Sequence, residues 1–499
     1  MPEKDRTLPL KSNIQNLIPC THGGLIKKTA QQHGIPEPEI LDLSASLNPM
    51  GSPFEHPAGS PYLDLQKILQ KAIGQTNQYP DNRYIEFRTA AARFIGMGVQ
   101  PDNIIPGNGS SEIIRLIAEC AIEKDDIVLI PQPTFAEYEQ QCRIFGANIH
   151  YTRQDDITNI TDKLLEKAKI FFVCNPNNPT GTLISRKDIQ VLAQRCEKHR
   201  TLLFVDEAFI ELSDPAQSIA DIAAGNDYVF VLRSLTKSFA IPGIRIGFGV
   251  ASPKMAEMLD AARLPWNLGS IPDTIGTELL DMDGGCNSRY FIESRELIKK
   301  EREYLTQRII DIRGLSPLSG SVNYILVDVS DFLMDSVELT QRLASHGILI
   351  RDCSSFHSFG NDHVRIAVRT RDENYRFVDM FGEVLNEWAK QHAEEKLKST
   401  LQAVAKGTHT GRDTCEYYPC HFEDQNCTFC FCPFYACEDE RTGGKCIERS
   451  SGGRVWSCVD CHIIHNPEVA QRILDILMED GNTEDNLVKA WEQVVEPLL

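Results

Sequence analysis

Continuous apolar runs alternate with amphipathic segments along the first 390 residues of the chain. Each run is four to six residues long, the length of a strand buried on both faces, and the runs begin at Ile127, Ile170, Leu202, Tyr228 and Tyr324. Apolar residues at helical spacing occupy other stretches, at 111–122, 187–199 and 254–264. This alternation predicts an α/β unit with a parallel sheet, in which ligands bind at the carboxyl ends of the strands.

The pattern changes near residue 375. Residues 375–405 predict one long helix with a charged second half, and KGTHTGRD at 406–413 breaks it. Asn466 and Pro467 resemble a helix cap and first turn, and helical spacing follows them. We expect an enzyme unit at 1–395, a linker at 396–413 and a cysteine-rich domain with C-terminal helices at 414–499.

Charge and composition narrow the class of protein. The formal net charge of −19 argues against nucleic acid as a partner, because domains that bind phosphate backbones carry basic patches. A local basic pocket for a small anion stays compatible with this charge. No apolar run reaches the roughly 18 residues of a membrane span, and the N-terminus lacks the apolar core of a secretory signal. We expect a cytoplasmic protein with no membrane partner.

Four short motifs carry candidate chemistry. GNGSS at 107–111 opens a helix and suits a phosphate, although a structural turn explains it about as well. CNPNNPTG at 174–181 is a rigid turn with two adjacent amides, and Asp206 ends an apolar strand, where it is a partner for a ring nitrogen or a helix-capping acid. Lys237 in SLTKSFAIPGIR lies in an apolar setting, so it is either a snorkelling surface residue or a reactive amine of lowered pKa.

In this order the motifs resemble those of the fold-type I pyridoxal phosphate (PLP) enzymes, the aspartate aminotransferase superfamily, and within it the histidinol-phosphate aminotransferase branch. The resemblance covers about residues 20–390. It implies a mixed, mainly parallel central sheet in a large domain at about 50–270. It also implies a smaller α/β domain built from the N-terminal arm and about 271–395, and a homodimer with shared active sites.

The resemblance also implies roles for individual residues. Lys237 would bond covalently to PLP, Asp206 would pair with its pyridine nitrogen, and Asn178 would bind its phenolic oxygen. Phe135 would stack on the ring, and Arg365 would bind the substrate carboxylate as a bidentate pair. The implied contacts to the cofactor phosphate are Gly109, Ser110, Ser234, Arg245 and, from the partner protomer, Tyr79.

One departure from the branch changes the expected reaction. The branch usually has tyrosine in DEAY, whose hydroxyl donates to the phenolic oxygen of PLP, whereas this chain has Phe209 in DEAF. A neutral replacement with different surroundings is the alternative interpretation. THGG at 21–24, DLSASLNPMG at 42–51 and DEAF resemble the L-threonine-O-3-phosphate decarboxylases of cobalamin biosynthesis, and the arginine pair Arg351 and Arg365 agrees with them.

This second resemblance implies loss of CO2 from L-threonine O-3-phosphate, which leaves (R)-1-amino-2-propanol O-2-phosphate for the cobalamin nucleotide loop. The cleaved bond must stand perpendicular to the PLP ring, so the positions of the two anionic ends of the substrate decide the reaction. Arg365 would hold the carboxylate, and Asn178 also lies among the expected substrate contacts. The phosphate contacts would be His22, Gly23, Asn48 and Arg351, although His22 is also compatible with a capping or core histidine.

Two other functions remain as alternatives. One is an aminotransferase that acts on histidinol phosphate or a similar phosphorylated amine. The other is a metal-binding regulatory or nucleic-acid-interacting protein that has kept an inactive PLP fold. The intact set of Lys237, Asp206 and Arg245, together with the acidic charge, argues against the inactive fold.

The cysteines are unevenly distributed, with seven of 16 before residue 415 and nine within 415–461. A reducing compartment favours metal over disulfides, and a metal is also supported because so short a segment with few large apolar residues cannot easily build a hydrophobic core unaided. Zinc or an iron–sulfur cluster suits this spacing. The first predicted ligand set is Cys427, Cys430, Cys458 and Cys461. Ligands for a possible second site are Cys415, Cys420, His421, Cys432, Cys437 and Cys446.

The role of the cysteine-rich domain stays open at this point. Regulation, partner docking and coupling to threonine phosphorylation are three hypotheses, and stabilisation or dimerisation is another. The sequence has no P-loop or kinase motif that would support a second catalytic site.

Overall fold

The computed structural model describes residues 10–15, 17–21, 23–55, 62–408, 418, 421–448 and 454–499. The chain divides into two units, Met1–Asn374 and Tyr375–Leu499. Each unit is presented below by itself.

The strands are numbered along the chain and have these bounds: β1 Leu41–Asp42, β2 Ile104–Gly107, β3 Ile127–Gln132, β4 Asn148–Arg153, β5 Ala168–Cys174, β6 Leu202–Asp206, β7 Val229–Ser234, β8 Gly247–Val250, β9 Ser316–Pro317, β10 Tyr324–Asp328, β11 Ile348–Leu349, β12 Arg351–Asp352, β13 His363–Ala367, β14 Lys445–Glu448 and β15 Arg454–Ser457.

The helices have these bounds: α1 Ser12–Gln15, α2 Ile26–His33, α3 Leu65–Gly74, α4 Ile85–Ile95, α5 Ser110–Ala121, α6 Glu137–Ile144, α7 Asp162–Leu165, α8 Arg186–His199, α9 Ala220–Gly225, α10 Leu235–Ser238, α11 Pro253–Ala262, α12 Ser270–Leu280, α13 Arg289–Ile310, α14 Ser336–Ser345, α15 Arg371–Ala405, α16 Pro467–Leu477 and α17 Thr483–Ala490. None of these helices, within the part of the chain that is described, is long and apolar enough to cross a membrane.

A seven-stranded sheet forms the centre of the first unit, in the order β2-β8-β7-β6-β5-β3-β4. Strands β7, β6, β5, β3 and β4 run parallel to one another, and β8 is antiparallel to both of its neighbours, β2 and β7. Hydrophobic clusters cover both faces, which explains why these strands have uninterrupted apolar sequences. The predicted mixed, mainly parallel sheet is therefore confirmed, and its parallel strands bring their carboxyl ends to one edge.

A smaller, four-stranded antiparallel sheet has the order β12-β13-β10-β9. Strand β10 occurs where the apolar run at Tyr324 predicts one, but it belongs to this antiparallel sheet and not to the parallel one. Its first four residues are all buried, so its sequence has the same continuous apolar pattern as a central parallel strand. The hydrophobic pattern alone does not separate the two cases.

The second unit contains most of α15, the β14-β15 hairpin, and α16 and α17. Its core joins Leu397 of α15 to Ile473 of α16 and Val494, together with Phe429 of the cysteine-rich segment. Asn466 caps α16, as predicted, with its side chain accepting from two backbone N–H groups.

Helix α15 continues through residues 396–405, which the sequence assigned to a linker. The predicted break at 406–413 begins directly after the helix ends at Ala405, and Gly407 within it has the left-handed φ of +65° that commonly terminates helices.

Candidate active site

A cavity of about 930 Å³ opens at the carboxyl ends of the central parallel strands. The N-terminal segment, the turns after β5, β6 and β7, and the small sheet all contribute to its wall. Most of the predicted cofactor and substrate residues line this cavity, namely Gly23, Ser110, Phe135, Asn178, Asp206, Ser234, Lys237, Arg245, Arg351 and Arg365.

Lys237 lies on α10, the single helical turn that follows β7 directly. Burial lowers the pKa of its amine, and the nearby positive charges of Arg365 and Arg245 lower it further, against an opposing contribution from Asp42. The resulting pKa of about 8 leaves a substantial neutral fraction near physiological pH. Its place in the cavity and its lowered pKa favour a reactive amine over a snorkelling surface lysine.

Asp206 ends β6 and is buried beside the cavity. Its Oδ2 accepts a hydrogen bond of 2.6 Å from the Tyr138 hydroxyl, and its Oδ1 accepts one of 2.9 Å from the backbone N–H of Ala208. Burial raises the pKa of Asp206 to about 6, while these two hydrogen bonds oppose the rise. A carboxylate desolvated in this way gains stability from a cationic partner such as a protonated ring nitrogen.

A cradle for an anion lies beside Lys237. Gly109 has φ +81°, and a Cβ there would lie 2.5 Å from Nη2 of Arg245, so a side chain at this position would collide with the guanidinium. Ser110 begins the twelve-residue helix α5, and the Ser234 hydroxyl lies 2.9 Å from that of Thr236. A helix N-terminus, hydroxyl groups and one guanidinium form a typical phosphate site.

Asn178 and Arg365 contact each other across the opposite side of the cavity. Nη1 of Arg365 donates to the Asn178 side-chain oxygen, and Nη2 donates to the backbone oxygen of Ser44 at 2.9 Å. Nε of Arg365 is buried and has no partner in the described residues. The Arg365 guanidinium also lies 5.0 Å from the centre of the Tyr324 ring, which supports it from one side.

Arg351 is buried next to Arg365. Its Nη2 donates to the backbone oxygen of Thr21 at 2.9 Å and to the Ser355 hydroxyl at 2.8 Å. The side chain of neighbouring Asp352 accepts hydrogen bonds from Ser336 and Ser354, and its negative charge opposes the lowering of the pKa of Arg351 by burial and by Arg365. Neither arginine pairs with a carboxylate among the described residues, which makes this part of the cavity a binding site for anions.

Phe209 is 6% exposed and lines the cavity, with its ring edge-on to Tyr324 at a centroid distance of 5.2 Å. The Tyr324 hydroxyl donates a hydrogen bond of 2.7 Å to the backbone oxygen of Asn177. No tyrosine lines the cavity in the part of the chain that is described. No tyrosine hydroxyl therefore replaces the one that Phe209 lacks.

Asn48 and Tyr79 lie away from the cavity lining. Asn48 is fully buried outside the cavity, and both ends of its side-chain amide are already hydrogen-bonded. Its nitrogen donates to the backbone oxygen of Ser238 and to the hydroxyls of Tyr290 and Ser294, and its oxygen accepts from the backbone N–H of Met50. The structure therefore gives Asn48 no free group for a substrate phosphate. Tyr79 is 79% exposed and stacks on Trp266 away from the cavity, and its role across a dimer interface stays a prediction. His22 lies outside the described residues.

Some residues of the site escaped the sequence analysis. Thr236 is part of the SLTK motif, and its position two residues after Ser234 is the sequence feature that could have indicated a second hydroxyl in the phosphate site. Tyr138 lies in QPTFAEY, three residues after Phe135, but only the fold brings it to Asp206. His357 lines the anion-binding end of the cavity and stacks on Tyr151 at 4.4 Å. His357 lies in a loop and belongs to no recognisable sequence pattern, so the sequence did not indicate it.

The cysteine-rich segment does not contain the predicted four-cysteine group in a ligand-like arrangement. In residues 421–448 and 454–499, as in the rest of the described chain, no three His, Cys, Asp or Glu side chains are placed to hold a metal ion. Cys427 accepts a hydrogen bond of 3.0 Å from Gln425, and Cys430 is exposed. The predicted partition of ligands into Cys427 and Cys430 with Cys458 and Cys461 therefore has no support in the geometry.

Cys437, Cys458 and Cys461 lie near enough to Cys432 to affect its thiol electrostatically, but they form no ligand cluster with it in the described residues. Burial raises the pKa of the Cys432 thiol, and Cys458, Cys461 and Cys437 raise it further. Burial likewise raises the pKa of Cys458 to about 11, with contributions from Cys437 and Cys461. The ring of His421 stacks on that of His465, with centroids 4.3 Å apart, and lies near the ring of His462. These ring contacts do not involve the thiols. Cys415 and Cys420 lie outside the described residues.

The residues of the cavity fit PLP. They combine a nucleophilic lysine, a buried carboxylate for the ring nitrogen, an apolar ring for stacking and a cradle for the phosphate. A cavity at the carboxyl ends of a mainly parallel sheet with this set of side chains defines a PLP-dependent enzyme of fold type I. The model of the family "Aminotransferase class I and II" matches residues 56–381, and the chain belongs to that family. A second family model, "Cysteine-rich small domain", matches residues 407–487.

Individual relatives are similar over the same region. The histidinol-phosphate aminotransferase of Methanococcus aeolicus is 30% identical over 369 residues, which are 72% of this chain and 94% of that protein. The structure of histidinol-phosphate aminotransferase from Sinorhizobium meliloti in complex with pyridoxal-5'-phosphate has a TM-score of 0.65 at 22% identity, covering 77% of this chain and 99% of the other. L-threonine-O-3-phosphate decarboxylase from Porphyromonas gingivalis has a TM-score of 0.57 at 20% identity, covering 67% and 97%. The two solved structures show the shared fold.

Proposed function

We propose that the protein removes CO2 from L-threonine O-3-phosphate and produces (R)-1-amino-2-propanol O-2-phosphate. The observation that carries this proposal is the wall of the cavity, which has two buried arginines without carboxylate partners and a phenylalanine where a transaminase of this branch uses tyrosine. Two fixed positive charges match a substrate with a phosphate at one end and a carboxylate at the other.

The division of labour between the arginines follows from their surroundings. Arg365 contacts Asn178 and is electrostatically coupled to Lys237, so its position suits the substrate carboxylate near the reacting carbon. Arg351 contacts the N-terminal segment at Thr21 and the loop at Ser355, so its position suits the phosphate at the far end. Gly23 also lines this end of the cavity.

PLP, when bound, would supply an electron sink for the bond broken at Cα of the substrate. Arg365 would hold the substrate carboxylate and Arg351 its phosphate, so the two arginines would orient the substrate for cleavage between Cα and the carboxylate. Lys237, which lines the same cavity, would supply the proton that replaces the carboxylate at Cα. The count balances, because one carboxylate is lost as CO2 and one proton is gained.

The proposal is tested by incubating the PLP-loaded protein with L-threonine O-3-phosphate in the absence of any keto acid. We expect stoichiometric CO2 and the phosphorylated amino alcohol. Unphosphorylated L-threonine is the matched control, and we expect it to react far more slowly because it leaves Arg351 without an anion. Turnover that appears only when 2-oxoglutarate is added would contradict the proposal.

An aminotransferase acting on histidinol phosphate is the second candidate. The relative from Methanococcus aeolicus bears that name, at 30% identity. Arg351 would then bind the phosphate of histidinol phosphate and Arg365 a carboxylate of the second substrate. The same incubation with histidinol phosphate and 2-oxoglutarate distinguishes the two, because only transamination produces glutamate.

We also propose that the protein acts as a homodimer with shared sites. The stacked pair of Tyr79 and Trp266, with the neighbouring Leu264 at 70% exposure, presents apolar surface that a second protomer would cover. Sedimentation of the full chain gives its mass in solution. If Tyr79 reaches the partner's phosphate cradle, a mixture of Tyr79→Ala and Lys237→Ala protomers regains activity in the mixed dimer, and a purely monomeric protein would overturn this proposal.

For the cysteine-rich unit we propose a zinc ion or an iron–sulfur cluster as the resident group. The proposal is supported by the nine cysteines within residues 415–461 and by the match of residues 407–487 to the model of the "Cysteine-rich small domain" family. The described residues hold no preformed ligand cluster. Elemental analysis and the visible absorption spectrum of the full chain, purified without oxygen, separate zinc from iron. Protein that contains neither metal, with these thiols oxidised or freely titratable, would contradict it.

A further inference from the structure

Arg233 is one of the largest fully buried side chains of the protein and does not line the cavity. It lies on β7, four residues before Lys237. Its three side-chain nitrogens are all engaged: Nε donates to Glu207 at 3.0 Å, Nη2 donates to the Ser218 hydroxyl at 2.8 Å, and Nη1 donates to Glu211. All three partners are themselves buried, so this is a closed network without access to substrate.

The two carboxylates of the network are linked to the active site in different ways, Glu207 through the chain and Glu211 through a hydrogen bond. Glu207 follows Asp206 directly at the end of β6, and its side chain is fixed further by the Ile219 N–H at 2.9 Å and the Ser218 hydroxyl at 2.7 Å. Glu211 accepts a hydrogen bond of 2.9 Å from the hydroxyl of Ser238, the residue after Lys237. A continuous path of bonds therefore joins Asp206 to Lys237 behind the cavity.

Asn48 contacts the same turn from another segment of the chain. Its backbone N–H donates to Lys237 O at 3.1 Å, and its side-chain amide donates to Ser238 O at 2.9 Å. Tyr290 and Ser294 of α13 hold the amide in place. The lysine turn is thus fixed through its backbone by Asn48 and through a side chain by Glu211.

The charges of the network favour a positioning role over a contribution to stability. One arginine and two glutamates, all buried, lose their hydration, and such groups are often no more stabilising than apolar residues of similar volume. Burial lowers the pKa of Arg233, but Glu211 and Glu207 raise it by more. Arg295 also faces the cluster and donates to Glu211 O and Cys286 O at 3.0 and 3.1 Å. A fully satisfied network of this kind gives the surrounding backbone one geometry.

We propose that Arg233, Glu207 and Glu211 form a positioning device that fixes the amine of Lys237 relative to the carboxylate of Asp206. The two groups must engage opposite ends of one rigid cofactor ring, so their separation and direction decide how well the ring is held. Asn48 completes the device from behind the turn. This role is independent of which reaction the site performs, so it goes beyond the proposed function.

The most selective test is Ser238→Ala, which removes the hydrogen bond from the lysine turn to Glu211, together with the longer one of 3.2 Å to the Ser234 backbone oxygen, and leaves the hydrogen bonds of Arg233 in place. The readout is the pH midpoint of the change in the absorption spectrum of the bound cofactor, measured without substrate. We expect a shift of about half to one pH unit, which is less than the full value of a hydrogen bond to a carboxylate because the bond acts on Lys237 only through its neighbour Ser238, and a slower capture of PLP by the cofactor-free variant.

Ser252→Ala is the matched control. Ser252 is also buried, and its hydroxyl caps α11 and contacts Asp227, away from the site. We expect this variant to lose thermal stability while its spectral midpoint stays at the wild-type value. Glu211→Gln provides a second test from the other side of the same bond, and its effect on the midpoint should not add to that of Ser238→Ala.

A Ser238→Ala midpoint within experimental error of the wild type, with only a lower melting temperature, would overturn the proposal and reduce the network to a structural element. Failure of the decarboxylase assignment would leave this spectroscopic result unchanged. The two proposals are therefore tested separately.

Discussion

Arg351 and Arg365 occupy directly opposite positions on the antiparallel strands β12 and β13. Side chains paired in this way emerge on the same face of a sheet, with Cβ atoms about 4.5–5.5 Å apart, and like charges in such a pair repel each other. Both are buried, with 8% and 7% exposure. Burial lowers the pKa of Arg351, and the charge of Arg365 lowers it further. A bound anion would offset the repulsion between the two buried charges, so we expect this arginine pair to be stabilised when an anionic substrate binds.

Arg351→Gln is expected to remove the preference for a phosphorylated substrate. One charge-assisted hydrogen bond is worth about 1.5–3 kcal/mol, so kcat/KM for L-threonine O-3-phosphate should fall about 10- to 150-fold. The rate with unphosphorylated L-threonine should stay almost constant, because that substrate offers nothing to Arg351. Steady-state kinetics with both substrates measure the ratio, and an equal loss for both would place the phosphate elsewhere.

Phe209→Tyr is expected to move the enzyme toward transamination. The added hydroxyl reaches the part of the cavity where relatives with DEAY bind the phenolic oxygen of PLP. A neutral hydrogen bond of about 0.5–1.5 kcal/mol changes the partition between CO2 release and amino transfer about 2- to 13-fold. The measurement is the ratio of CO2 to aminated keto acid. Phe209→Leu is the control that alters packing without adding a hydroxyl, and an equal ratio in both variants would show that the hydroxyl is irrelevant.

The capture of PLP by the cofactor-free protein should depend on pH through Lys237. The amine attacks only when neutral, and its pKa is lowered from 10.5 to about 8. The rate should therefore rise about tenfold per pH unit below pH 8 and level off above it. In Arg365→Gln one of the lowering charges is lost, so the plateau should begin at higher pH. Stopped-flow absorbance measures both profiles, and a wild-type rate still rising near pH 10 would indicate an ordinary exposed lysine.

The order of motifs along the chain was sufficient to predict the centre of this site. Lys237, Asp206 and Asn178 each follow a strand of one parallel sheet, and the geometry of such a sheet brings the residues after its strands to one edge. Their convergence required no knowledge of side-chain contacts. The same argument covers the anion cradle at Gly109, where the left-handed φ explains why glycine stands beside Arg245.

Long-range contacts limited the rest of the prediction. Asn48 lies in a motif of the resembled decarboxylases, yet the fold turns its amide into the protein, where Ser238, Tyr290 and Ser294 use it. These partners are about 190 to 246 positions away, and no local pattern indicates such pairs. The thiols that affect Cys432 electrostatically, those of Cys437, Cys458 and Cys461, come from separate stretches of the segment for the same reason. Spacing identifies thiol-rich segments but does not determine which thiols meet.

Tyr138→Phe isolates the contribution of one hydroxyl to the partner of the ring nitrogen. Tyr138 is fully buried and stacks on Phe172 at 5.0 Å, so phenylalanine retains its packing. Its hydroxyl donates to Asp206 and lowers the pKa of that carboxyl against the effect of burial. Without it, the pKa of Asp206 should rise above about 6, and the ionised form that binds a protonated ring nitrogen becomes less populated.

Two measurements follow from this argument. The affinity of the Tyr138→Phe protein for PLP should fall about 10- to 150-fold, the value of one hydrogen bond to a charged group. In the cofactor-free protein, Asp206 has a folded pKa above its ordinary value of 3.8, so the folded state binds the extra proton and this group's contribution to stability falls as pH rises from about 4 to 6. In Tyr138→Phe the fall should extend to higher pH, as urea unfolding between pH 4 and about 8 will reveal. Tyr84→Phe, which removes another buried hydroxyl bonded to Leu268, is the control, and an identical pH profile in both variants would mean that Tyr138 only fills space.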